Sequence, residues 1–186
     1  MGNLWLYLFV VLAAAVAYVY NGLVSLRNRA NNAWSDIEVQ LKRRHDLVGN
    51  LVETVKGYSA HEEETLRRLV EARDGARRAT DHQSPGEAGP AEELLVNRLR
   101  SVFAVVEAYP DLKASDGYLE LHHALVSLED HIQNARRYHN AVVRDLNTKI
   151  QSFPQLLVAR PFGFREREFF RLSSADEADV PEVKLQ

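Results

Sequence analysis

From Met1 to Leu26 the chain contains no Lys, Arg, Asp or Glu, and Leu4 to Tyr20 is almost unbroken apolar sequence, LWLYLFVVLAAAVAYVY. As a helix that stretch is ~25 Å long, and ~34 Å if it continues to Leu26, against a hydrocarbon core of ~30 Å. Trp5 and Tyr7 stand near one end, and Tyr18 and Tyr20 near the other, where amphipathic rings settle at membrane–water interfaces. The segment therefore reads as a transmembrane anchor, residues 1–26, that contacts the lipid bilayer through residues 4–26. A cleaved signal peptide is the alternative, because Ala13-Ala14-Ala15 and Ala15-Val16-Ala17 resemble the small-residue pattern of a cleavage site. The missing basic n-region and the apolar run beyond those alanines favour a retained anchor. Arg27 and Arg29 follow the span and no basic residue precedes it. Under the positive-inside rule the N-terminus lies outside and the following domain is cytoplasmic, which puts the protein in the inner (cell) membrane as a single-pass chain.

The remaining sequence allows one further compact domain within the 186 residues. A formal charge of −3 gives no basic excess, so no nucleic acid is expected as a partner. The absence of Cys removes disulfides, thiolate metal sites and Cys nucleophiles together.

Past the anchor, apolar residues recur in steps of three and four: Trp34, Ile37, Leu41, Val48, Leu51, Val55, Tyr58, then Leu66, Leu69 and Val70. That stripe predicts one long amphipathic helix from the membrane to about Thr80, with a possible bend at Gly49. Asp81–Ala91, DHQSPGEAGPA, has two prolines, two glycines and no periodicity, and predicts a loop. A helix is expected from Glu92 to about Ala108, with Leu95, Leu99, Val102, Phe103 and Val106 inward. Tyr109-Pro110-Asp111 should break it. The next helix has Ser115 or Asp116 as its cap and a seam of Leu121, Leu125, Leu128, Ile132, Ala135, His139, Val142, Leu146 and Ile150, the spacing of a bundle or coiled coil. Pro154 should close it, with a short turn over Gln155–Ala159. The last dozen residues read as a frayed tail. No segment alternates with period two. The expected fold class is all-α: an N-terminal transmembrane helix followed by an elongated antiparallel bundle of three to four long helices.

Candidate chemistry is sparse. Glu120-Leu121-His122-His123 contains one Glu-x-x-His, the spacing that puts two metal ligands on one helix face in di-iron bundles, but a second copy is missing. His123 lies off the apolar seam and His122 flanks it, so both read as surface or boundary residues. His139 falls on the seam and reads as a buried or half-buried imidazole bonded to a backbone carbonyl or a neighbouring carboxylate. The run Gln40–His45, QLKRRH, could meet phospholipid headgroups, but it lies ~24 Å along the helix from Leu26, and pairing with another helix or simple solvation is the preferred reading. No phosphate loop, nucleophile elbow or His-Glu-x-x-His helix occurs. No catalytic, cofactor-binding or metal-binding residue is assigned, and no cofactor is expected.

Several blocks in order resemble the LemA family of bacterial membrane proteins. They are Tyr20–Asn28 (YNGLVSLRN), Ala33–Arg44 (AWSDIEVQLKRR), Asp46–Tyr58 (DLVGNLVETVKGY), Val70–Arg73, Ala108–Ala114 around Tyr109-Pro110, Ile132–Asn140 (IQNARRYHN), and Phe153-Pro154. The chain departs from the family pattern at Gly49, where proline is usual, at His45, where a tyrosine is common, and at His139, which interrupts a more usual Tyr-Asn pairing. The resemblance implies an anchor over 1–26, a LemA-like bundle over 27–164 and a tail over 165–186. It also implies a non-enzymatic scaffold or interaction role with unidentified membrane or envelope proteins as partners. The aromatic residues Phe162, Phe164, Phe169 and Phe170 are expected to offer docking surface. Two other readings remain: a metal-dependent bundle enzyme built around Glu120, His123 and a carboxylate from another helix, and an exported helical domain released by signal-peptide cleavage.

Overall fold

The computed structural model describes residues 2–57, 62–82 and 84–171. The described chain is all-α, with no strand among the described residues. Its elements in order are α1 (Gly2–Lys56), α2 (Glu63–Asp81), α3 (Pro85–Val106), α4 (Pro110–Lys113), α5 (Asp116–Gln151) and α6 (Leu156–Ala159). The inward positions of the stripe are buried as expected: Trp34, Ile37, Leu41, Val48, Leu51, Val55, Leu66 and Leu69. Tyr58 lies outside the described residues.

Two expectations fail locally. The first helix does not run to Thr80. It passes through Gly49, ends at Lys56 beside Gly57, and a separate α2 begins at Glu63. The apolar stripe continues across the break because α2 packs on the same core as α1, so periodicity alone could not register the reversal. Nor is Asp81–Ala91 a loop. Only the connection around His82 and Ser84 is non-helical, and Pro85 opens α3. Proline suits a first helical position, where its missing N–H would have had no partner. The Ser84 carbonyl accepts the Glu87 and Ala88 amides at 3.1 and 3.0 Å. Pro90 sits inside the helix and removes one backbone bond, but Ala88, Gly89 and Glu92 around it are buried. Tertiary packing holds a turn that local composition disfavours.

The remaining breaks follow the sequence. α3 stops at Val106, and Pro110 starts the short α4 after Tyr109. Ser115 caps α5, its Oγ accepting the Tyr118 amide at 3.4 Å. α5 ends at Gln151 and α6 occupies the expected turn.

The chain divides into two compact units. One comprises residues 1–37 and 133–169. Its core gathers Leu23, Ala30, Val142, Val143, Leu146, Ile150, Ala159 and Phe164. The Asn147 amide clamps the backbone of Arg167, accepting its N–H and donating to its carbonyl, both at 2.9 Å, and Arg167 reaches Asn31 at 3.2 Å. The segment after α6 is thereby strapped to α5 and α1. Ahead of this core, Leu4 to Leu12 are exposed, Trp5 at 74% and Phe9 at 69%. This is the one helix among the described residues long and apolar enough to cross a membrane.

The other unit comprises residues 38–132 and 170–186, of which 172–186, including the last dozen expected as a frayed tail, lie outside the described residues. Its core joins Val48, Leu51 and Val55 of α1, Leu66, Leu69 and Ala76 of α2, Leu95, Leu99 and Val102 of α3, and Leu125 of α5. α1 and α2 run antiparallel here, since Gly49 faces Arg73 while Lys42 and Arg77 line one cavity. Phe164 and Phe170 are buried, Phe170 completely. These two aromatic residues are buried, each within its own unit, rather than offered as docking surface.

Gly89 has a structural reason to be glycine: a Cβ there would lie 1.8 Å from the Arg171 carbonyl oxygen. Gly89→Ala should destabilise the protein by about 1–3 kcal/mol through forced displacement. Gly75, inside α2 with nothing within 4 Å of a Cβ, should respond oppositely, Gly75→Ala gaining about 0.4–1 kcal/mol. Urea titration of the full chain in detergent, followed by circular dichroism, reads both.

Candidate functional site: a buried ionic cluster beside a charged cavity

α3 brings one carboxylate, Glu92, to full burial. It shares the inward face with Leu95, Leu99, Val102 and Val106, at the same steps of three and four. A carboxylate taken out of water needs donors at both oxygens, and α1 supplies them from adjacent residues. Arg44 Nη1 donates to Oε2 at 3.0 Å, and His45 Nε2 meets Oε1 at 2.6 Å. The second arm of the Arg44 guanidinium reaches Glu129 on α5. Arg44 and His45 are themselves buried, whereas Glu129 is one-third exposed. One planar fork thus links three helices, the geometry for which arginine is suited and lysine is not.

On its other side His45 lines a cavity of about 310 Å³ with Glu38, Lys42 and Asp46 of α1 and Arg77, Thr80 and Asp81 of α2. Three carboxylates face two cations there. The Thr80 hydroxyl donates to the Ala76 carbonyl at 3.0 Å and is committed to its own helix. The cavity has the charge pattern of a polar binding recess.

The run Gln40–His45 divides accordingly. Lys42 and Arg43 are exposed, while Arg44 and His45 pair with other helices. Arg44 stands at the 41–44–48 step of the stripe, so a charge on an apolar face was legible. Its partner Glu92 was hidden by reading Asp81–Ala91 as a loop, which left Glu92 as a helix start. Nothing local in the sequence signalled Arg77, Thr80 and Asp81.

The other histidines are placed as follows. Glu120 and His123 are both exposed. His122 is half-buried, its ring 4.9 Å from that of Phe103 and 5.8 Å from that of Tyr118. Among the described residues no group of three or more His, Asp or Glu gathers as metal ligands. His139 is buried on the seam, its ring 5.7 Å from Trp34, with Nδ1 3.3 Å from Asn140 Oδ1. Burial pushes its pKa below the ordinary value, against a smaller upward pull from Asn140. Tyr109, at the break before α4, donates to Glu62 at 3.2 Å. Its phenol is pushed up, first by desolvation and then by that carboxylate.

The LemA family model matches residues 33–185. The chain belongs to the LemA family. It is 30% identical to Protein LemA of Metamycoplasma hominis over 185 residues, covering 96% of this chain and 83% of that protein. It is 26% identical to Magnetosome protein MamQ of Magnetospirillum gryphiswaldense over 208 residues, covering 96% and 76%. Magnetosome protein MamQ 2 of Paramagnetospirillum magneticum is 27% identical, covering 92% of this chain and 71% of that one. The matched region contains the whole ionic cluster of this LemA-family chain.

Removing one partner of a buried ion pair strands the other charge. Glu92→Ala should therefore cost about 3–5 kcal/mol in denaturant titration, whereas the apolar replacement Arg44→Met with Glu92→Leu should recover most of that loss. The lowered pKa of His139 means that the unfolded chain binds its proton first. Stability from this residue is complete above about pH 6.5, the unfolded value, and declines as pH falls toward the lower folded value. His139→Asn should flatten the fall in Tm between pH 7 and pH 5, measured against the parent so that the remaining histidines cancel.

Proposed function

We propose that this LemA-family chain is a non-enzymatic interaction module held in the bacterial inner membrane by one N-terminal span. The observation carrying this reading is the exposure of the apolar residues Leu4–Leu12 and Tyr18, ahead of the core of their unit. Such a surface in water is an aggregation liability, and in a bilayer it is the preferred state. We place the acyl-chain contact on residues 4–18, because Leu23 is buried in the protein core. Arg27 and Arg29, the first charged residues of the chain, support a cytoplasmic domain and an external N-terminus by the positive-inside rule.

The non-enzymatic reading is supported by how the buried charges are used. Both oxygens of Glu92 and both arms of Arg44 are engaged within the protein. The names of the similar proteins, Protein LemA and Magnetosome protein MamQ, denote no reaction. The polar recess beside His45 and the exposed helix faces are where unidentified membrane or envelope proteins would dock.

Alkaline carbonate should leave the full chain in the membrane pellet and release a variant lacking residues 1–18. A fluorescent reporter fused after Gln186 should be bright and a phosphatase reporter inactive; the reverse pattern would overturn the orientation. Crosslinking in native membranes should trap the same protein neighbours in repeated preparations, and persistent failure would defeat the interaction role.

A further inference from the structure

On the anchored reading, the exposed residues of α1 lead directly into protein. Asn3 to Tyr18 is exposed except for Val16, while Val19 packs against the core and Leu23 is buried within it. The first protein surface beyond Tyr18 is therefore the one that meets the membrane interface.

That first surface is unusually apolar. The turn between α5 and the strapped segment presents Phe153 at 79%, Leu157 at 65% and Phe162 at 56% exposure. It stands beside the end of the span, since the Phe162 ring lies 5.0 Å from that of Tyr20. The buried Phe164 joins the same group, 5.7 Å from Tyr20 and with the Arg27 guanidinium 5.3 Å above its ring. The turn is held firmly: Val158 and Ala159 are buried, and the Asn147 clamp fixes the chain beyond it. Its exposed apolar side chains therefore cannot fold inward without undoing the core behind them.

Residues 20–35 contain Arg27 and Arg29 and no carboxylate; residues 150–165 contain Arg160 and Arg165, and Glu166 and Glu168 follow in the same unit. All four arginines are exposed. Exposed apolar and aromatic side chains with arginines close by in the sequence are the composition of a surface that lies in a headgroup layer.

We propose that the turn carrying Phe153, Leu157 and Phe162 is a second membrane contact, a collar that seats in the lipid interface around the base of the span. The occupant is the bilayer itself: apolar side chains reach the upper acyl chains, and the arginines meet the phosphates. The collar fixes the tilt of α1 against the membrane plane. This inference rests on the anchored reading of residues 4–18.

The cysteine-free chain allows single nitroxide labels with no native cysteine to remove first. Leu8→Cys, Tyr138→Cys, Phe153→Cys, Leu157→Cys and Phe162→Cys variants of the full chain are labelled and reconstituted in vesicles of phosphatidylcholine and phosphatidylglycerol. Collision with oxygen and with a water-soluble nickel chelate then reads depth. The label at residue 8 should lie deep and that at 138, an exposed α5 position in the same unit, in water. Labels at 157 and 162, with 153 as an independent site, should fall between phosphate level and the upper acyl chains. If they match residue 138 while residue 8 is deep, the collar is wrong and the anchor survives. Shielding from both reagents would mean a protein surface covers the turn, which also overturns the collar. A residue 8 label in water would overturn both readings. Unchanged far-ultraviolet circular dichroism checks that each variant is folded.

Discussion

A fully buried carboxylate with donors from a neighbouring helix at both oxygens constrains this protein more tightly than any apolar contact. Apolar stripes at steps of three and four tolerate sliding, because a shift of one turn along a helix still covers much of the same area. Glu92 tolerates none. Displacing α3 by a turn against α1 would carry the carboxylate away from Arg44 and His45 and leave three buried polar groups unsatisfied. Arg44 extends the constraint to α5 through Glu129, so three helices in one unit share a single register. The cluster gains little net stability over a well-packed apolar core of the same shape. Its contribution is to make misaligned packings costly.

The same arrangement sets the character of the recess beside it. His45 faces Glu92 with one nitrogen and borders a cavity whose other walls come from charged residues of α1 and α2. These two helices meet there because the chain reverses after Lys56, and the antiparallel course brings Lys42 opposite Arg77. The exposed face of α2 carries a different kind of electrostatics. Glu64 is held below the ordinary carboxylate range by hydrogen bonds from Arg67 and then Arg68, pairs at helical spacing that solvent screens and that contribute little to stability.

In the other unit the organising constraint is apolar. Leu23, only five residues beyond the exposed Tyr18, is claimed by a core that includes Val143, Leu146 and Phe164. The helix therefore changes from lipid-type exposure to protein burial within about two turns. Aromatic side chains mark that change: Tyr20 against Phe162 and Phe164, then Trp34 against His139 further along. Two glycines show where backbone constraints enter: Gly163 adopts a φ of 72°, open to glycine at no steric cost, and Gly89 leaves room for a passing main chain.

Much of this architecture was legible from residue order. Periods of three and four place Trp34, Leu41, Leu51 and the α5 seam from Leu125 to Ile150 inward without reference to any partner, because a 3.6-residue helix has only one way to bury them. The prolines at 110 and 154 mark breaks for an equally local reason: a missing amide and a restricted preceding residue. The charge-free stretch before Arg27 is legible as a candidate span from length alone. What the sequence left open depends on distance in space. The reversal after Lys56 was invisible because both sides of it serve one core. The helix through Pro85 and Pro90 was misread because buried neighbours, not local propensity, stabilise it. Phe164 and Phe170 looked available because nothing nearby in the chain covers them. The pairing of Arg44 and His45 with Glu92, 48 and 47 residues away, could be decided only by tertiary structure, since a charge on an apolar face announces that it needs a partner but not where the partner lies.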